Sequence, residues 1–280
     1  MGMLYVIPTP VGNLEDITMR AVRLLKEADF VLAEDTRTSS KLLKHLDIQV
    51  PMYSHHKFNE HGKAKYFISE LKEGKSIAVI TDAGTPCISD PGNELIKAAV
   101  AEGIKVVGIP GCCAAVNALA VSGLPTGRFT FEGFLSTNKA ERREHLDSLK
   151  NEKRTMIFHE APHKLRTTLS DLAEAFGGSR RISLCRELTK LNEEIIRTDL
   201  AGAVAYYTER EPRGEYVLVL EGAAEAGCPV GTSENPLLSL SAREHVEKYI
   251  ADGMSKMDAI KKTAKERKIP KNEVYALICK

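Results

Sequence analysis

From Leu4 onward the chain alternates short apolar runs with amphipathic segments of helical period, a pattern that predicts parallel strands joined by helical crossovers. The first half repeats the unit plainly. Residues 4–7 predict a buried strand, and Asp16 is placed to cap a helix whose Ile17, Ala21, Leu24, Leu25 and Ala28 share one face. A strand over 30–33 follows, then a helix around 40–46 and a polar stretch with His55, His56 and His61. A helix near 64–73 and a strand over 76–80 come next. Asp90 before Pro91 predicts an N-cap with proline in the first helical position, and Gly103 falls just past that helix. Residues 105–109 form the next strand and 113–121 a helix of small side chains. Gly123, Pro125 and Gly127 then punctuate the chain, and a domain boundary is expected there.

The second half starts the pattern again. Strands are expected over 128–135, 155–159, 181–185 and 215–221, with helices over 139–150, 163–176 and 200–208. A mixed segment carries Arg186, Glu187 and Lys190. Residues 222–236, rich in Gly, Ala, Ser and Pro, look like a linker. Beyond it three short helices are expected, over 242–251, 256–267 and 271–278. At 280 residues the chain exceeds what one core usually holds. The division is therefore an N-terminal α/β domain (1–124), a C-terminal α/β domain (125–222), a linker (223–236) and a small basic helical domain (237–280).

Charge narrows the partners. The formal net charge is +1, yet from Pro236 onward ten Lys/Arg stand against six Asp/Glu, leaving an excess of three acidic residues before it. The tail is thus the place to expect nucleic acid, with Lys261, Lys262 and Lys271 as candidate contacts; a solvated helical face is the alternative. Aromatics make up 6% of the chain and Trp is absent, so stacking of single-stranded bases is not its main theme. The six cysteines show no CxxC pair, which fits reduced thiols in a cytoplasmic protein. No leader-like start and no run of membrane-spanning length is seen.

Ligands of open parallel sheets bind beyond the carboxyl ends of the strands, and four loops there are unusual. They are Pro8-Thr9-Pro10-Val11-Gly12-Asn13-Leu14, Glu34-Asp35-Thr36-Arg37, the stretch from Thr81 to Gly92, and Pro110-Gly111-Cys112-Cys113-Ala114-Ala115. Small residues let backbone approach a ligand closely, and proline fixes a loop before binding, so such loops suit a cofactor. Neither GxGxxG nor GxxxxGK[ST] is present. His159-Glu160-Ala161-Pro162-His163 matches HExxH literally, but Pro162 breaks the continuous helix that a zinc site of this kind requires and is expected to open the next helix instead. The histidines at 55, 56 and 61 are expected on the surface, and no metal site is predicted.

With those loops in view the sequence resembles the tetrapyrrole methylase superfamily, in particular its branch acting on ribosomal RNA. The resemblance runs from about Leu4 to Glu221. It rests on the loops above together with Ser122-Gly123-Leu124-Pro125, Glu132-Gly133-Phe134-Leu135, Arg186-Glu187-Leu188-Thr189-Lys190 and Gly214-Glu215-Tyr216-Val217-Leu218-Val219. It implies two α/β domains of tetrapyrrole methylase type with a cofactor cleft between them, plus the small C-terminal helical region. It also implies S-adenosylmethionine as methyl donor, a homodimer, and 2′-O-methylation of a cytidine ribose in the decoding region of 16S rRNA within the small subunit. By position, the donor would be lined by Pro10, Asp82, Gly84, Thr85, Pro86, Ile88, Ser89, Cys113, Ala114 and Ala115. Candidates for handling the hydroxyl proton are Glu34, Asp35, Asp82, Glu187 and Lys190, with Asp35 and Glu187 favoured; Arg37 and Arg186 would grip RNA. Helix capping or pairing with the neighbouring arginines is the alternative for both carboxylates. One departure stands out: Cys112 occupies a position where the family's usual Pro-Gly-Pro has its last proline. Methylation of a tetrapyrrole precursor or in the diphthamide pathway, and a non-catalytic RNA-binding role, are the competing readings.

Overall fold

A computed structural model describes residues 2–55, 60–223, 237, 240–267 and 269–278. The chain divides into two compact units, Met1–Ala223 and Ala224–Lys280. The first holds two five-stranded sheets. In sheet one, β1 (Met3–Val6), β2 (Phe30–Ala33), β3 (Met52–Ser54), β4 (Ile77–Ile80) and β5 (Lys105–Gly108) lie in the order β3-β2-β4-β1-β5 and are all parallel. The crossovers run through α1 (Met19–Glu27), α2 (Thr36–His45), α3 (Glu60–Lys72) and α4 (Asn93–Ala101).

Both faces of this sheet are covered, and alternate residues sort accordingly. Tyr5, Ile7, Val31, Ala33, Ala78 and Ile80 pack with Ala21, Leu24 and Leu25 of α1 and Leu43 of α2. Leu4, Phe30, Leu32, Ile77 and Val79 pack on the other side with Phe67, Leu71, Leu95 and Ala99 of α3 and α4. The start of α1 differs from expectation. Thr18, not Asp16, caps it, its hydroxyl accepting from the Ala21 amide at 3.1 Å, while Asp16 closes a single 3₁₀ turn begun by Asn13. Asp90 likewise does not cap α4. Gly92 does, at φ +123°, where an added Cβ would lie 2.6 Å from Cys87 Sγ. Strand β3 lies outside the expected set, being three residues long and hidden in the polar stretch after Pro51. His55, expected on the surface, is buried with its ring edge-on to Phe67 at 5.9 Å. His56 and the side chain of His61 lie outside the described residues.

Sheet two is ordered β6-β7-β10-β8-β9. It comprises β6 (Phe129–Gly133), β7 (Thr155–Glu160), β8 (Arg181–Arg186), β9 (Glu194–Asp199) and β10 (Tyr216–Leu220). Here the expectation of parallel strands holds only for β6 and β7; β10 runs antiparallel to both β7 and β8, and β9 antiparallel to β8. The reason is chain length. Only seven residues separate β8 from β9, a strand the sequence pattern does not announce, and seven are too few for a crossover to a parallel neighbour.

On one face of sheet two, Met156, Phe158, Ile182, Leu184, Leu218 and Leu220 pack with α6 (Lys139–Ser148), α7 (Pro162–Phe176) and α8 (Leu200–Glu209). The other face is covered from the first half of the chain. Ala115, Ala118 and Leu119 of α5 (Ala114–Val121), which follows β5, pack on Ile157, Cys185, Val217 and Val219. This one helix binds the two sheets together, so both belong to the same unit.

The second unit holds α9 (Ala242–Ala251), α10 (Lys256–Arg267) and α11 (Lys271–Ile278), with the limits that the sequence pattern predicts. Ser241 and Glu244 form a reciprocal capping box at the start of α9. Val246, Ala259, Ile260, Ala264 and Val274 make its small core. The expected linker falls largely outside the described residues.

Candidate functional site

Because sheet one is parallel, the loops after β1, β2, β4 and β5 emerge at a single edge, and hydrogen bonds knit them together. Thr9 and Gly84 exchange two backbone bonds of 2.9 and 3.0 Å, with Gly84 at φ +80°. The Thr9 hydroxyl donates to the Thr81 carbonyl at 2.9 Å, and the Thr81 hydroxyl donates to Glu34 Oε2 at 2.7 Å. The Asp35 amide donates to Asp82 Oδ1 at 3.3 Å, and the Thr85 hydroxyl to the Cys112 carbonyl at 2.8 Å. Gly111 sits so close to Pro8 that a Cβ would approach its ring at 2.8 Å. Cys112, where proline is usual, is held by that bond from Thr85 and by its own thiol donating to the Asp16 carbonyl at 3.3 Å. Hydrogen bonds thus hold this position in place of a pyrrolidine ring.

These turns form one wall of a cavity of about 410 Å³. From the sequence-derived set, Glu34, Asp82, Gly84, Thr85, Ile88, Ser89, Cys113, Ala114 and Ala115 line it on this side, and Glu187 and Lys190 on the other. Pro10 and Pro86 are buried and do not line the cavity, although they stiffen loops that do. Asp90, Phe131, Phe134, His159, Glu160 and Glu215 also line it; none of them is named as a site residue from the sequence, although Asp90 lies in the loop from Thr81 to Gly92 and Phe134 and Glu215 in motifs that carry the resemblance. For His159 and Glu160 a signal exists: they end a strand, at the same kind of position that draws attention in sheet one. The expectation for Pro162 itself holds, since it occupies the first turn of α7 with Ala161 as the cap. Among the described residues no group of His, Cys, Asp and Glu is arranged to hold a metal ion.

The wall from sheet one is acidic. Burial first, and then the Glu34 carboxylate, push Asp90 up to about 6, against a hydrogen bond from Thr81; burial also raises Asp82. Asp35 is engaged elsewhere. Its carboxylate accepts from the Arg37 amide at 2.8 Å as the cap of α2, and pairs with the Arg37 guanidinium at 2.8 Å, which holds it down at about 2. Arg37 itself is exposed.

The opposite wall is built around a strained turn after β8. Glu187 and Thr189 hold φ of +51° and +67°, a conformation that disfavours side chains. Lys190 Nζ donates to Glu187 Oε1 at 2.9 Å and to Glu215 Oε2 at 2.8 Å. Glu187 Oε1 also accepts from the Glu215 amide at 2.9 Å, and that backbone bond, followed by Lys190, lowers its pKa. Burial works against the charge on Lys190, but Glu215 and Glu187 outweigh it and keep the ammonium above the ordinary lysine value. A Cβ on Gly12 would lie 2.3 Å from Lys190 Cγ, so the first loop presses directly on this lysine. Arg186 does not line the cavity; it pairs with Glu194 at 3.4 Å. In the second unit Lys261, Lys262 and Lys271 are exposed, Lys262 lying 4.2 Å over the Tyr249 ring and Lys261 3.8 Å from Asp258.

A rim of small-residue turns in sheet one, facing a charged turn from sheet two, is a methyltransferase architecture of one kind. Residues 3–204 match the tetrapyrrole (corrin/porphyrin) methylases, and the chain belongs to that family. The resemblance carried by the loop motifs is borne out. The chain is 48% identical over 274 residues to ribosomal RNA small subunit methyltransferase I of Halalkalibacterium halodurans, covering 98% of this chain and 93% of the relative. It is 44% identical over 277 residues to the protein of that name from Synechocystis sp., covering 99% and 97%. In fold it is similar to a solved uroporphyrin-III C-methyltransferase from Thermus thermophilus complexed with S-adenyl homocysteine. There the TM-score is 0.55 at 18% identity, over 79% of this chain and 97% of that one.

Proposed function

We propose that the chain transfers a methyl group from S-adenosylmethionine to the 2′-hydroxyl of a cytidine ribose in the decoding region of small-subunit ribosomal RNA. The observation that carries the reading is the joining of four separate turns into one cavity wall, opposite a lysine clamped between two carboxylates. The donor fits this wall. Ala83, Gly84, Ala114 and Ala115 leave backbone uncovered for a close approach, while Glu34, Asp82 and Asp90 set negative charge beside a cation. When bound, the donor supplies an activated methyl group on a sulfonium, so alignment of the two reactants provides much of the acceleration.

Lys190 has donor capacity beyond its two carboxylate bonds, and its ammonium can hold the acceptor oxygen in line. Glu187 Oε1 is committed to Lys190 and to the Glu215 amide, so Oε2 is the atom to receive the hydroxyl proton as the bond to carbon forms. Asp35, spent on Arg37 and the cap of α2, is set aside as the base. Arg37, Arg186 and the lysines of the second unit serve as RNA contacts, supported by the exposure of Arg37, Lys261, Lys262 and Lys271. The working form is a homodimer in the cytoplasm, acting on the small subunit; fully exposed Leu191 and largely exposed Met19 supply apolar surface for the dimer contact. The divisions 1–124, 125–222 and 237–280 remain part of this reading as functional domains.

Tritiated donor incubated with unmethylated small subunits should label one cytidine ribose, located by mass spectrometry of nuclease fragments. Glu187→Gln should slow single turnover by about 10²-fold or more, while Asp35→Asn stays near wild type. Label on a base, or no label at all, would sink the assignment.

A further inference from the structure

The wall from sheet two carries a feature that methyl transfer from the opposite wall does not require. Strands β6 and β7 are parallel, yet their register slips between Phe131 and Gly133, with Phe131 opposite Ile157 and Gly133 opposite Phe158. Glu132 is the extra residue of a β-bulge, and Gly133 follows at φ +65°. Bulges are rare between parallel strands and serve to re-aim side chains, often beside active sites. Here the consequence is visible. In a regular strand Phe131 and Phe134 would point to opposite faces; with the bulge both rings bracket one imidazole, that of His159, at 5.1 and 5.5 Å, each edge to face. All three line the cavity.

Two further observations point to a ligand at this place. Phe134 is 56% exposed and lines the cavity, so its ring is accessible to whatever enters. His159 Nε2 is shielded from solvent and has no hydrogen-bond partner among the described residues, an arrangement that costs stability unless a partner arrives. Burial also lowers the pKa of His159, keeping the ring neutral and able either to donate or to accept.

We propose that Phe134, backed by Phe131 and His159, is the platform on which the base of the acceptor nucleotide stacks, so that its ribose meets Lys190 on the same wall. This rests on the ribosomal reading above and deepens it. A stacked nucleotide shows its 2′-hydroxyl in the shallow minor groove, whereas carrying that hydroxyl deep into a cavity draws the nucleotide out of the stack, and an aromatic face repays part of that unstacking. The chain's poverty in aromatics does not oppose this, because one base needs one ring.

The test uses the full-length protein, unmethylated small subunits and tritiated donor, with donor affinity measured separately by calorimetry. Phe134→Ala should raise KM for the subunit about ten- to a hundredfold, leave donor Kd within twofold, and be rescued by Phe134→Trp. His159→Phe should raise the same KM by less, since it keeps a ring and loses the polar atom. If wild type labels and Phe134→Ala keeps a wild-type KM for subunits, the platform is wrong and the ribosomal reading stands. A donor Kd weakened by Phe134→Ala with subunit KM unchanged also overturns it, by placing the ring on the donor. If wild type labels no subunit, both fall. Because Phe134 is exposed, its truncation is not expected to unfold the chain; Phe134→Leu with an unchanged circular dichroism melt serves as the second variant and should show the same KM defect.

Discussion

Gly214 and Glu187 show how much of the site is settled by single atoms. Gly214 lies at φ +76°, and a Cβ there would sit 2.4 Å from Glu187 Cγ, so this glycine allows Glu187 its left-handed turn and its grip on Lys190. Asp90 belongs to the same scale. Its folded value of about 6 lies above that of an unfolded aspartate. The protonated carboxyl therefore favours the folded state fully below about pH 4, and the contribution is lost as pH rises through about 6. At neutral pH the charge is held against Glu34 in partial burial, a stability cost of the sort tolerated at functional sites. Asp90→Asn should therefore stabilise the protein by about 1–2 kcal/mol more at pH 7.5 than at pH 4, after allowance for solvent screening. Urea melts at the two pH values would show it, and equal gains at both would contradict an origin in the burial of this carboxylate beside Glu34.

Among the elements, the helices of the second unit hang on a buried histidine. His245 on α9 accepts from Arg267 Nε through Nδ1 at 3.1 Å, and its Nε2 lies 3.0 Å from Glu266, both partners on α10. With Nδ1 accepting, a neutral ring carries its proton at Nε2, which is buried beside Glu266 without a hydrogen bond of good geometry among the described residues. Burial, with Arg267 and Lys262 nearby, lowers the pKa of the ring despite the pull of Glu266. A depressed value means that the stabilising contribution is complete above the unfolded value, about 6.5, and disappears as pH falls through the folded one. Amide exchange in 242–278 should accelerate as pH is lowered below about 6.5, once the intrinsic pH dependence is removed. His245→Gln should blunt that step; an unaltered profile would show that another group governs it.

For the whole molecule, the division at Ala223 leads to the prediction that RNA affinity is separable from donor binding. Every residue of the cavity lies before that boundary, whereas the local excess of Lys and Arg lies beyond it. A protein ending at Ala223 should bind S-adenosylmethionine with wild-type affinity while losing about tenfold or more in RNA affinity. Its log K against log salt should be shallower, each lost phosphate contact removing about 0.7–0.9 from the slope. Filter binding at several salt concentrations measures both, and an undiminished slope would relieve the second unit of its RNA role.

Features set by near neighbours in the chain can be read directly from the residues. The strand at 30–33, the three last helices and the opening of α7 by Pro162 all follow from side-chain period and proline geometry, which act over a few residues. The small-residue turns are legible for the same reason, and so is the family. The remainder depends on pairings between distant segments. Only folding decided that β10 would lie between β7 and β8, that α5 would cover the far sheet, and that a slipped register would swing Phe134 beside His159. Asp35 and Glu187 look alike as acidic neighbours of arginine in the sequence. The first is absorbed by its own helix end and the second is turned toward a lysine by a contact with Gly214, a distinction made by three-dimensional packing and by no local preference.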